Sequence, residues 1–251
     1  MTPKIVCIIQ ARRRSTRLPD KILKPLSGRS ALAHVLSRCK AIPSVDEVIC
    51  AGVDDPYEQP IFDIAVAHSV TAFRGSESDV LARYYFAAQK AGADWVMRVT
   101  SDCPLFDPTV AEELIQLTLK SGHSFGSNAD WPHGLDCELF TFSLLEEAHK
   151  SATNAFEREH VTLWMKRDKS LQKIHHRPPG EQKLGEAYRW VFDYPEDYRF
   201  LSAVFDRLGG DADTARWQEI VAILDREPDL QALNAGRIED WQQENTRIHA
   251  S

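Results

Sequence analysis

The sequence predicts an α/β fold in which helices cover both faces of a mostly parallel sheet. Segments typical of strands alternate with segments typical of helices over about the first 125 residues, and only a few residues connect them. The first strand segment, residues 5–9, is a continuous apolar run, as expected for a strand that is buried on both faces. A cationic loop follows the first run, at the end of the strand where open α/β sheets bind their ligands.

The elements of this first part follow in order. Strand segments lie at residues 5–9, 45–53, 70–73 and 94–100, and helical segments lie at residues 30–40, 61–67, 77–91 and 108–120. Ser30 is a candidate N-cap of the first helix, and Pro43 follows the end of that helix. The helix at 77–91 has an apolar stripe at helical spacing. Pro108 suits the first turn of the last helix, where a missing backbone N–H costs nothing.

After residue 124 the alternation becomes less regular. Residues 134–138 alternate between polar and apolar side chains, which is typical of a half-buried strand. The other predicted elements are helices at 143–150 and 156–166, a polar connection at 168–186, a late strand at 188–192, and helices at 198–208 and 214–225 before a polar tail.

Composition and charge narrow the class of protein. The 251 residues suffice for one large domain, or for one domain with an appendage. The net charge of −7 argues against a nucleic-acid partner, although one basic patch still allows a small anionic ligand. Five widely spaced cysteines without a CxxC motif indicate neither a zinc site nor a disulfide framework. The longest apolar run, residues 5–9, is too short for a membrane span, so we expect a cytoplasmic protein with no membrane partner.

The cationic loop carries five positive charges within ten residues: Arg12, Arg13, Arg14, Arg17 and Lys21. Neither G-x-G-x-x-G nor G-x-x-x-x-G-K-[ST] occurs in the sequence, so side chains rather than a glycine-rich backbone would bind phosphates. Arg12, Arg17 and Lys21 are spaced four or five residues apart and could converge on one polyphosphate. The alternative is a basic loop that is merely solvated.

Two aspartates stand just after predicted strands and close to a proline. Asp102 lies in Ser-Asp-Cys-Pro, and Asp193 lies in Phe-Asp-Tyr-Pro. If both strands belong to the sheet, both carboxylates emerge at the edge that carries the cationic loop. Mg²⁺ binds a few carboxylate oxygens and completes its shell with phosphate oxygens and water, so this pair is a candidate magnesium site. The alternative is that each aspartate only caps the helix that follows it.

Six further polar residues are candidates for ligand contacts: Arg74, Ser76, Asp136, Glu138, Arg158 and His160. The first two follow the third strand and would face a base, or would form only a turn and an N-cap before the next helix. The two carboxylates would share one face of the strand at 134–138. The last two lie in a helical pattern, in which a single histidine is more often structural.

The loop resembles the signature of a known enzyme family. Residues 10–12 (Gln-Ala-Arg), residues 15–19 (Ser-Thr-Arg-Leu-Pro) and Lys21 are similar to the loop of the acylneuraminate and Kdo cytidylyltransferases, nearest to the spore-coat polysaccharide biosynthesis protein F type. Further motifs match in the same order: Phe73-Arg74-Gly75-Ser76-Glu77, Asp79-Val80-Leu81, Arg83-Tyr84, Ser101-Asp102-Cys103-Pro104-Leu105, Gly134-Leu135-Asp136, Arg158-Glu159-His160-Val161 and Asp193-Tyr194-Pro195-Glu196-Asp197. The resemblance covers residues 3–206.

The resemblance implies a fold, an assembly and a reaction. The fold is a Rossmann-like nucleotidyltransferase domain of the glycosyltransferase A type in residues 1–206, with a small dimerisation and acceptor-side segment at about 124–189. Residues 207–251 would form a C-terminal helical extension. The reaction is a Mg²⁺-dependent transfer of CMP from CTP to an acidic sugar of the 2-keto-3-deoxy acid type, with release of pyrophosphate, in the synthesis of a surface polysaccharide or glycan precursor. The implied assembly is a homodimer.

The same resemblance assigns roles to residues. Lys21, Arg12 and Asp102 would be catalytic, and Asp102 and Asp193 would hold Mg²⁺. The nucleotide-binding set is Gln10, Ala11, Arg12, Ser15, Arg17, Lys21, Arg74, Ser76 and Asp102. We expect the anionic acceptor to contact Asp136, Glu138, Arg158 and His160. The sequence departs from the family pattern at three positions of the loop. The family commonly has an apolar residue at position 13, Gly or Ser at position 14, and Gly at position 20. This sequence has Arg13, Arg14 and Asp20 instead.

Three alternatives remain open at this point. The same loop and carboxylate pair would serve a nucleotidyltransferase that uses another nucleotide or a sugar phosphate. A glycosyltransferase with a nucleotide-sugar donor would usually carry Asp-x-Asp at a strand end, whereas the Asp-x-Asp at residues 211–213 lies late in the chain in a loop-like segment. A non-catalytic nucleotide-binding protein would need neither both aspartates nor Lys21.

Overall fold

The structure, a computed structural model, describes residues 2–180 and 183–238 of the chain. Its strands are β1 (Ile5–Gln10), β2 (Pro25–Leu26), β3 (Arg29–Ser30), β4 (Glu47–Val53), β5 (Thr71–Gly75), β6 (Trp95–Thr100), β7 (Phe125–Ser127), β8 (Glu138–Thr141) and β9 (Lys173–His175). Its α-helices are α1 (Ala31–Lys40), α2 (Gln59–Ala67), α3 (Val80–Ala91), α4 (Pro108–Ser121), α5 (Phe142–Ser151), α6 (Ala155–Glu159), α7 (Leu163–Arg167), α8 (Leu184–Ala187), α9 (Pro195–Leu208), α10 (Trp217–Arg226) and α11 (Pro228–Ala232).

Within the described residues, seven strands form one sheet in the order β5-β4-β1-β6-β8-β7-β9. β1 pairs with β4 and β6 in parallel, and β5 extends the parallel part beyond β4. β8 runs antiparallel to both β6 and β7, while β9 is again parallel to β7. The strands predicted at 5–9, 45–53, 70–73 and 94–100 correspond to β1, β4, β5 and β6. The prediction of a mostly parallel sheet is therefore confirmed.

Helices cover both faces of the sheet, as predicted. Alternate residues of β1 point to opposite faces, because successive side chains of a strand alternate. Cys7 and Ile9 pack in a hydrophobic cluster with α1, α2 and α4. Val6 and Ile8 pack in a second cluster with α3, α5 and α7. The centre of the sheet is thus buried on both sides, which explains why its strands read as continuous apolar runs.

Local capping agrees with the sequence at two helices and shifts the start of a third. Ser30 Oγ accepts a hydrogen bond from the Ala33 backbone N–H (3.2 Å), so it is the N-cap of α1. Pro108 occupies the first turn of α4. The helix predicted from residue 77 begins at Val80, because Asp79 caps it by accepting a hydrogen bond from the Ala82 N–H (2.9 Å).

The strand predicted at 188–192 is wrong as a strand of the sheet. This segment is extended, but its only bridge within the described residues pairs Arg189 with His133. The Phe192 N–H instead donates to the Asp102 carbonyl (2.8 Å), beyond the end of β6. The segment is apolar because Trp190 and Phe192 are buried in a third hydrophobic cluster, against α9. Burial rather than strand pairing produced the apolar run.

Three further predictions around this region differ from the structure. The helix predicted at 156–166 is two helices, α6 and α7, which are separated where Val161 adopts a φ of 55°. A β-branched residue at positive φ cannot continue a right-handed helix. The strand predicted at 134–138 begins only at Glu138 and runs to Thr141. The connection at 168–186, predicted to be polar and irregular, contains β9 at the edge of the sheet.

The described part of the predicted C-terminal extension packs against the rest of the chain. α10 corresponds to the helix predicted at 214–225, and α11 lies in the predicted polar tail, while residues 239–251 lie outside the described residues. Both helices contribute to the third hydrophobic cluster, together with α9. The buried Arg38 guanidinium of α1 donates to the carbonyls of Phe106, Ala212 and Ala215. Of the helices in the described residues, none is long and apolar enough to span a membrane.

Candidate active site

A cleft of about 660 Å³ opens at the carboxyl ends of β1 and β6. The loop that follows β1 forms one wall, and residues of β6, α3 and α6 form much of the rest. The lining residues are Gln10, Ala11, Arg12, Arg13, Arg14, Ser15, Thr16, Arg17, Pro19, Lys21, Tyr57, Val80, Arg83, Arg98, Thr100, Ser101, Asp102, Glu159, His160 and Asp193. The position agrees with the general rule for open α/β sheets.

Lys21 joins the two candidate metal ligands. Its ammonium donates to Asp102 Oδ2 and to Asp193 Oδ1, each at 2.6 Å, and the lysine is only 9% exposed. Burial lowers the pKa of Lys21, but the charges of Asp102 and Asp193 outweigh it and the pKa is raised. Burial likewise opposes ionisation of both aspartates, yet their pKa values are lowered, with Lys21 the principal opposing charge. All three groups are therefore ionised at neutral pH.

Asp193 reaches this point although it does not follow a strand of the sheet. Two devices hold it there. The Phe192 N–H bond to the Asp102 carbonyl places the segment across the end of β6. Behind it, Arg189 donates to Asp193 Oδ2 (3.2 Å) and to both carboxylate oxygens of Asp197 (3.1 Å each). The predicted meeting of the two aspartates is thus observed, but through a different connection from the one that predicted it.

The network behind Asp193 extends into the C-terminal segment. Asp197 is fully buried and also accepts from the backbone N–H of Asp193 (3.0 Å). Asn234, just after α11, donates to Asp197 Oδ1 (3.0 Å) and to the Arg189 carbonyl (2.9 Å). Because buried polar groups lose much stability when a partner is missing, this network holds the Asp193 backbone in one position.

The carboxylate pair fits a divalent cation that also binds a phosphate. Both aspartates present an oxygen to the same ammonium, so these oxygens converge on one point. Among the described residues, no group of three or more His, Cys, Asp or Glu side chains is placed to hold a metal. Two carboxylates leave most of the coordination shell to other ligands, which suits Mg²⁺, since this ion usually binds one or two carboxylates together with phosphate oxygens and water.

The other predicted phosphate ligands of the loop also reach the cleft. Arg17 pairs with Asp193 (3.0 Å), and its guanidinium lies 5.0 Å from the centre of the Tyr194 ring. Arg12 is about half exposed, and its one ion pair among the described residues is a long contact to Glu159 (3.9 Å). Such an exposed pair contributes little, so Arg12 can turn to an anion at small cost. Gln10, Ala11 and Ser15 line the same cleft.

The two additional arginines of the loop are matched by carboxylates. Arg13 donates to Asp20 (2.9 Å), lies over the Tyr57 ring at 3.8 Å, and its backbone N–H donates to a carboxylate oxygen of Glu58 (2.8 Å). The hydrogen bond to Asp20 raises the pKa of Arg13. Asp20 itself has a φ of 55°, a conformation that glycine adopts most easily. The charge of Asp20 therefore balances Arg13 instead of facing a bound anion.

Arg14 also lines the cleft, but its guanidinium is held by two carboxylates. It pairs with Asp55 (2.9 Å) and with Glu77 (3.0 Å), and these contacts raise its pKa, mainly through the hydrogen bond to Glu77. Its guanidinium is about half exposed. Arg13, Arg14 and Asp20, the three residues that differ from the family pattern, thus take part in ion pairs and hydrogen bonds. These contacts hold the loop against the segment at 55–58 and against the turn before α3.

The structure does not bring Arg74 and Ser76 to the cleft. Neither residue lines it. Arg74 donates to Gln59 Oε1 (2.6 Å), and its guanidinium stacks on the Phe62 ring at 3.8 Å. Ser76 Oγ accepts from the Asp79 N–H (3.1 Å), so it supports the turn before α3. In this conformation both residues have the structural roles that the sequence left as the alternative.

A second cavity of about 500 Å³ adjoins the first, and Arg98 and His160 line both. Its lining residues are Arg98, Phe125, Ser127, Ala129, Trp131, His133, Asp136, His160, Thr162, Leu163, Lys166, Lys173 and His175. Two of the four residues expected to contact an acceptor, Asp136 and His160, lie here. Asp136 also accepts a hydrogen bond from the Gly134 N–H (2.8 Å), which orders the turn before β8.

The other two expected acceptor residues are engaged inside the protein. Glu138 is 6% exposed, and it binds Arg98 (3.0 Å), Lys166 and the Thr162 hydroxyl (2.9 Å). Burial opposes its ionisation, but Lys166 and Arg98 outweigh burial and lower the pKa of Glu138 to about 2. Glu138 therefore holds two cations at the cavity wall.

Arg158 joins three helices. It contacts Asp79, the N-cap of α3, through two nitrogens at 2.8 and 2.7 Å. It also donates to the carbonyls of His149 and Ala152 at the end of α5. Its guanidinium lies in neither cavity lining and positions α6 against α3 and α5.

Several residues of the site were not expected from the sequence, among them Arg98 and Asn234, and Arg83 appeared only within a matched motif. Arg98 lies in β6 and Arg83 lies on the buried face of α3, so each is a charge inside an apolar pattern. That interruption was a usable signal, because Arg is almost never fully buried unless it has a partner. Asn234 had no such signal, since nothing in the sequence relates it to Asp197.

The chain is similar to one protein family and to several known proteins. A family model described as cytidylyltransferase matches residues 6–216. The chain is 32% identical over 235 residues to an uncharacterized protein of Methanocaldococcus jannaschii, with 92% of this chain and 95% of that protein covered. It is 28% identical over 230 residues to the spore coat polysaccharide biosynthesis protein SpsF of Bacillus subtilis, with 90% and 95% covered.

A solved structure has the same fold. It is a cytidylyltransferase from Leptospira borgpetersenii, similar at a TM-score of 0.85 and 28% identity over 91% of this chain and 97% of that one. These matches confirm the resemblance drawn from the loop motifs, and they confirm the predicted fold class. Every residue that lines the main cleft lies within the range of the family match.

Proposed function

Because this chain belongs to the cytidylyltransferase family, we propose that it transfers CMP from CTP to an acidic sugar of the 2-keto-3-deoxy acid type and releases pyrophosphate. The observation that carries the proposal is the convergence of Lys21, Asp102 and Asp193 in a cleft that also contains Arg12 and Arg17. The phosphates of a nucleoside triphosphate would pair with the cations of this cluster, and a divalent cation would pair with its two carboxylates. The relative SpsF, named for spore coat polysaccharide biosynthesis, supports a sugar as the acceptor.

The residues of the cleft suit attack of an acceptor oxygen on the α-phosphate of CTP. Such a transfer needs positioning and charge neutralisation more than covalent chemistry from the protein. Arg12, Arg17 and Lys21 would bind phosphate oxygens and stabilise the charge that develops on the leaving pyrophosphate. Asp102 and Asp193 would hold Mg²⁺, which when bound neutralises phosphate charge and orients the α-phosphate. In the absence of nucleotide, the same charges neutralise one another.

The second cavity is the proposed acceptor site. It opens next to the main cleft, and its wall carries Arg98, Lys166 and Lys173 together with three histidines. A cationic wall favours an acceptor with a carboxylate, because opposite charges close together in a partly buried site attract strongly. Asp136 and His160 would contact sugar hydroxyls there. The homodimer implied by the family resemblance and the cytoplasmic location expected from the short apolar runs stay predictions.

The test of the function is pyrophosphate release from each of the four NTPs, with Mg²⁺ and a panel of 2-keto-3-deoxy acids and sugar phosphates. We expect release with CTP and a 2-keto-3-deoxy acid. Asp102→Asn should lower turnover about 10²- to 10³-fold, because a charge-stabilising contact in the transition state is lost. The variant should keep the wild-type far-ultraviolet circular dichroism spectrum.

A matched control is Asp63→Asn, since Asp63 is exposed on α2 and bonds only Gln59 among the described residues. This variant should turn over at the wild-type rate. Equal activity or equal thermal stabilisation with all four NTPs would contradict the assignment to CTP. Near-normal turnover of Asp102→Asn would contradict the metal assignment.

A further inference from the structure

Arg83 is a buried cation for which the described residues supply no partner. It lies in the first turns of α3 and is 2% exposed. Its Nε and Nη1 atoms are buried without a hydrogen-bond partner, and no ion pair involves it within residues 2–180 and 183–238. Burial of an unpaired charge is costly, and proteins rarely retain one without use. Arg83 also lines the main cleft, so a ligand in the cleft can satisfy it.

Arg83 lies towards the end of the cleft away from the carboxylate pair. The Cγ atom of Arg83 lies beside Gly75, the last residue of β5, whereas Asp102 follows β6, and β4 and β1 lie between these two strands in the sheet. Burial lowers the pKa of Arg83, and the charge of Arg12 lowers it further. The triphosphate would occupy the end that contains Lys21 and the carboxylates. The group of the nucleotide that comes closest to Arg83 is therefore the base.

Gln10 provides a complementary group on the same face of the sheet. It is the last residue of β1 and follows Val6 and Ile8 in the alternation that faces α3. Its amide oxygen is buried and has no hydrogen-bond partner, and its side chain lines the cleft. The cleft thus contains an unpaired donor set on Arg83 and an unpaired acceptor on Gln10.

We propose that Arg83 selects cytosine by donating hydrogen bonds to the O2 and N3 atoms of the base, while the Gln10 amide oxygen accepts from the exocyclic amine. This inference rests on the proposed function. Cytosine presents two neighbouring acceptors, O2 and N3, which match the donor fork of a guanidinium. Uracil presents a donor at N3 and a carbonyl in place of the amine, so both contacts would become repulsive. Rejection is strong where a buried polar group would be left unpaired.

The test measures binding to the full chain by calorimetry, with Mg²⁺ and without acceptor. The probes are CTP, UTP and inorganic triphosphate. Arg83→Met should weaken CTP binding about tenfold to hundredfold and leave the affinity for inorganic triphosphate unchanged. Arg83→Lys, which keeps the charge but loses the fork, should also weaken CTP. Arg199→Met is the matched control, because Arg199 is an exposed arginine of α9, and its CTP affinity should equal that of the wild type.

The outcomes separate the possible roles of Arg83. If CTP and inorganic triphosphate weaken in parallel, Arg83 binds phosphate and the proposal is wrong. If neither changes, Arg83 touches no nucleotide and the proposal is also wrong. Thermal unfolding of ligand-free Arg83→Met should occur no lower than that of the wild type, since an unpaired buried charge is removed. A wild type that binds all nucleotides equally would instead refute the proposed function, whatever the variants do.

Gln10→Leu tests the other half of the proposal. The substitution removes the acceptor for the exocyclic amine, so it should lower CTP affinity about tenfold and leave UTP affinity unchanged or improved. The ratio of the two dissociation constants therefore moves towards one. An equal loss of affinity for CTP and UTP would show that Gln10 does not distinguish the two bases.

Discussion

Replacing Glu138 with Gln should destabilise the protein by about 3 kcal/mol at neutral pH. Glu138 is buried between Arg98, Lys166 and the Thr162 hydroxyl. Its pKa falls from the ordinary value of 4.5 to about 2, because these partners outweigh the effect of burial. Each step of one in pKa corresponds to about 1.4 kcal/mol, so the ionised form contributes about 3 kcal/mol to folding. The variant also leaves the partly buried Arg98 without its anion, which acts in the same direction.

The pH dependence of this effect has a definite sign. The pKa of Glu138 is lower in the folded protein than in the unfolded chain. The stabilisation is therefore complete above about pH 4.5 and is lost as the pH falls from there to about 2. Other carboxylates also titrate in this range, so the informative quantity is the difference in unfolding free energy between wild type and variant. That difference should be constant between pH 5 and 8 and should shrink below pH 4.5.

Urea unfolding followed by tryptophan fluorescence measures this difference, since the chain contains six tryptophans. Glu147→Gln is the control, because Glu147 is exposed on α5 and its substitution should change stability by less than about 0.5 kcal/mol. A loss below about 1 kcal/mol for Glu138→Gln at pH 7.5 would refute the reasoning. A difference that stays the same from pH 7.5 to pH 3 would refute the attribution to charge.

Two other substitutions test how the site is held. Asn234→Ala removes the hydrogen bonds to Asp197 and to the Arg189 carbonyl, which support the position of Asp193. The variant should therefore raise the Mg²⁺ concentration for half-maximal activity several-fold. An unchanged Mg²⁺ titration would show that this network does not position Asp193. Arg14→Ala should change CTP affinity less than about threefold in calorimetry, because the guanidinium is already paired with Asp55 and Glu77. A tenfold loss would show that Arg14 leaves these carboxylates to bind the nucleotide.

Much of the central fold was predictable because its determinants are local. The strands at 5–9 and 94–100 read as apolar runs since both faces of β1 and β6 are covered. Ser30 and Pro108 marked helix starts through capping chemistry that involves only neighbouring residues. The segment at 188–192 shows the limit of this reading. An apolar run records burial, and it does not distinguish a strand of the sheet from an extended segment that packs against a helix.

Some residues of the candidate site were likewise predictable from their position in the sequence, and others were not. Arg12, Arg17, Lys21 and Asp102 lie next to strand ends, so their presence at the cleft follows from the parallel sheet. Arg74 lies near the carboxyl end of β5, yet it stacks on Phe62, because a nearby aromatic ring and an amide satisfy its charge. Sequence position brings a long side chain within reach of a cleft, but local partners decide where it points.

The sequence by itself determined the fold class, the family and the cationic loop, because these depend on short patterns of polarity and on motifs in fixed order. Only the tertiary structure decided which charged side chains form ion pairs within the protein and which face the cleft. Glu138 and Arg158 neutralise internal partners, and Arg13 and Arg14 fasten the loop. Arg83 has no partner within the described residues. Pairing of charges depends on contacts between residues far apart in the chain, and no local pattern encodes them.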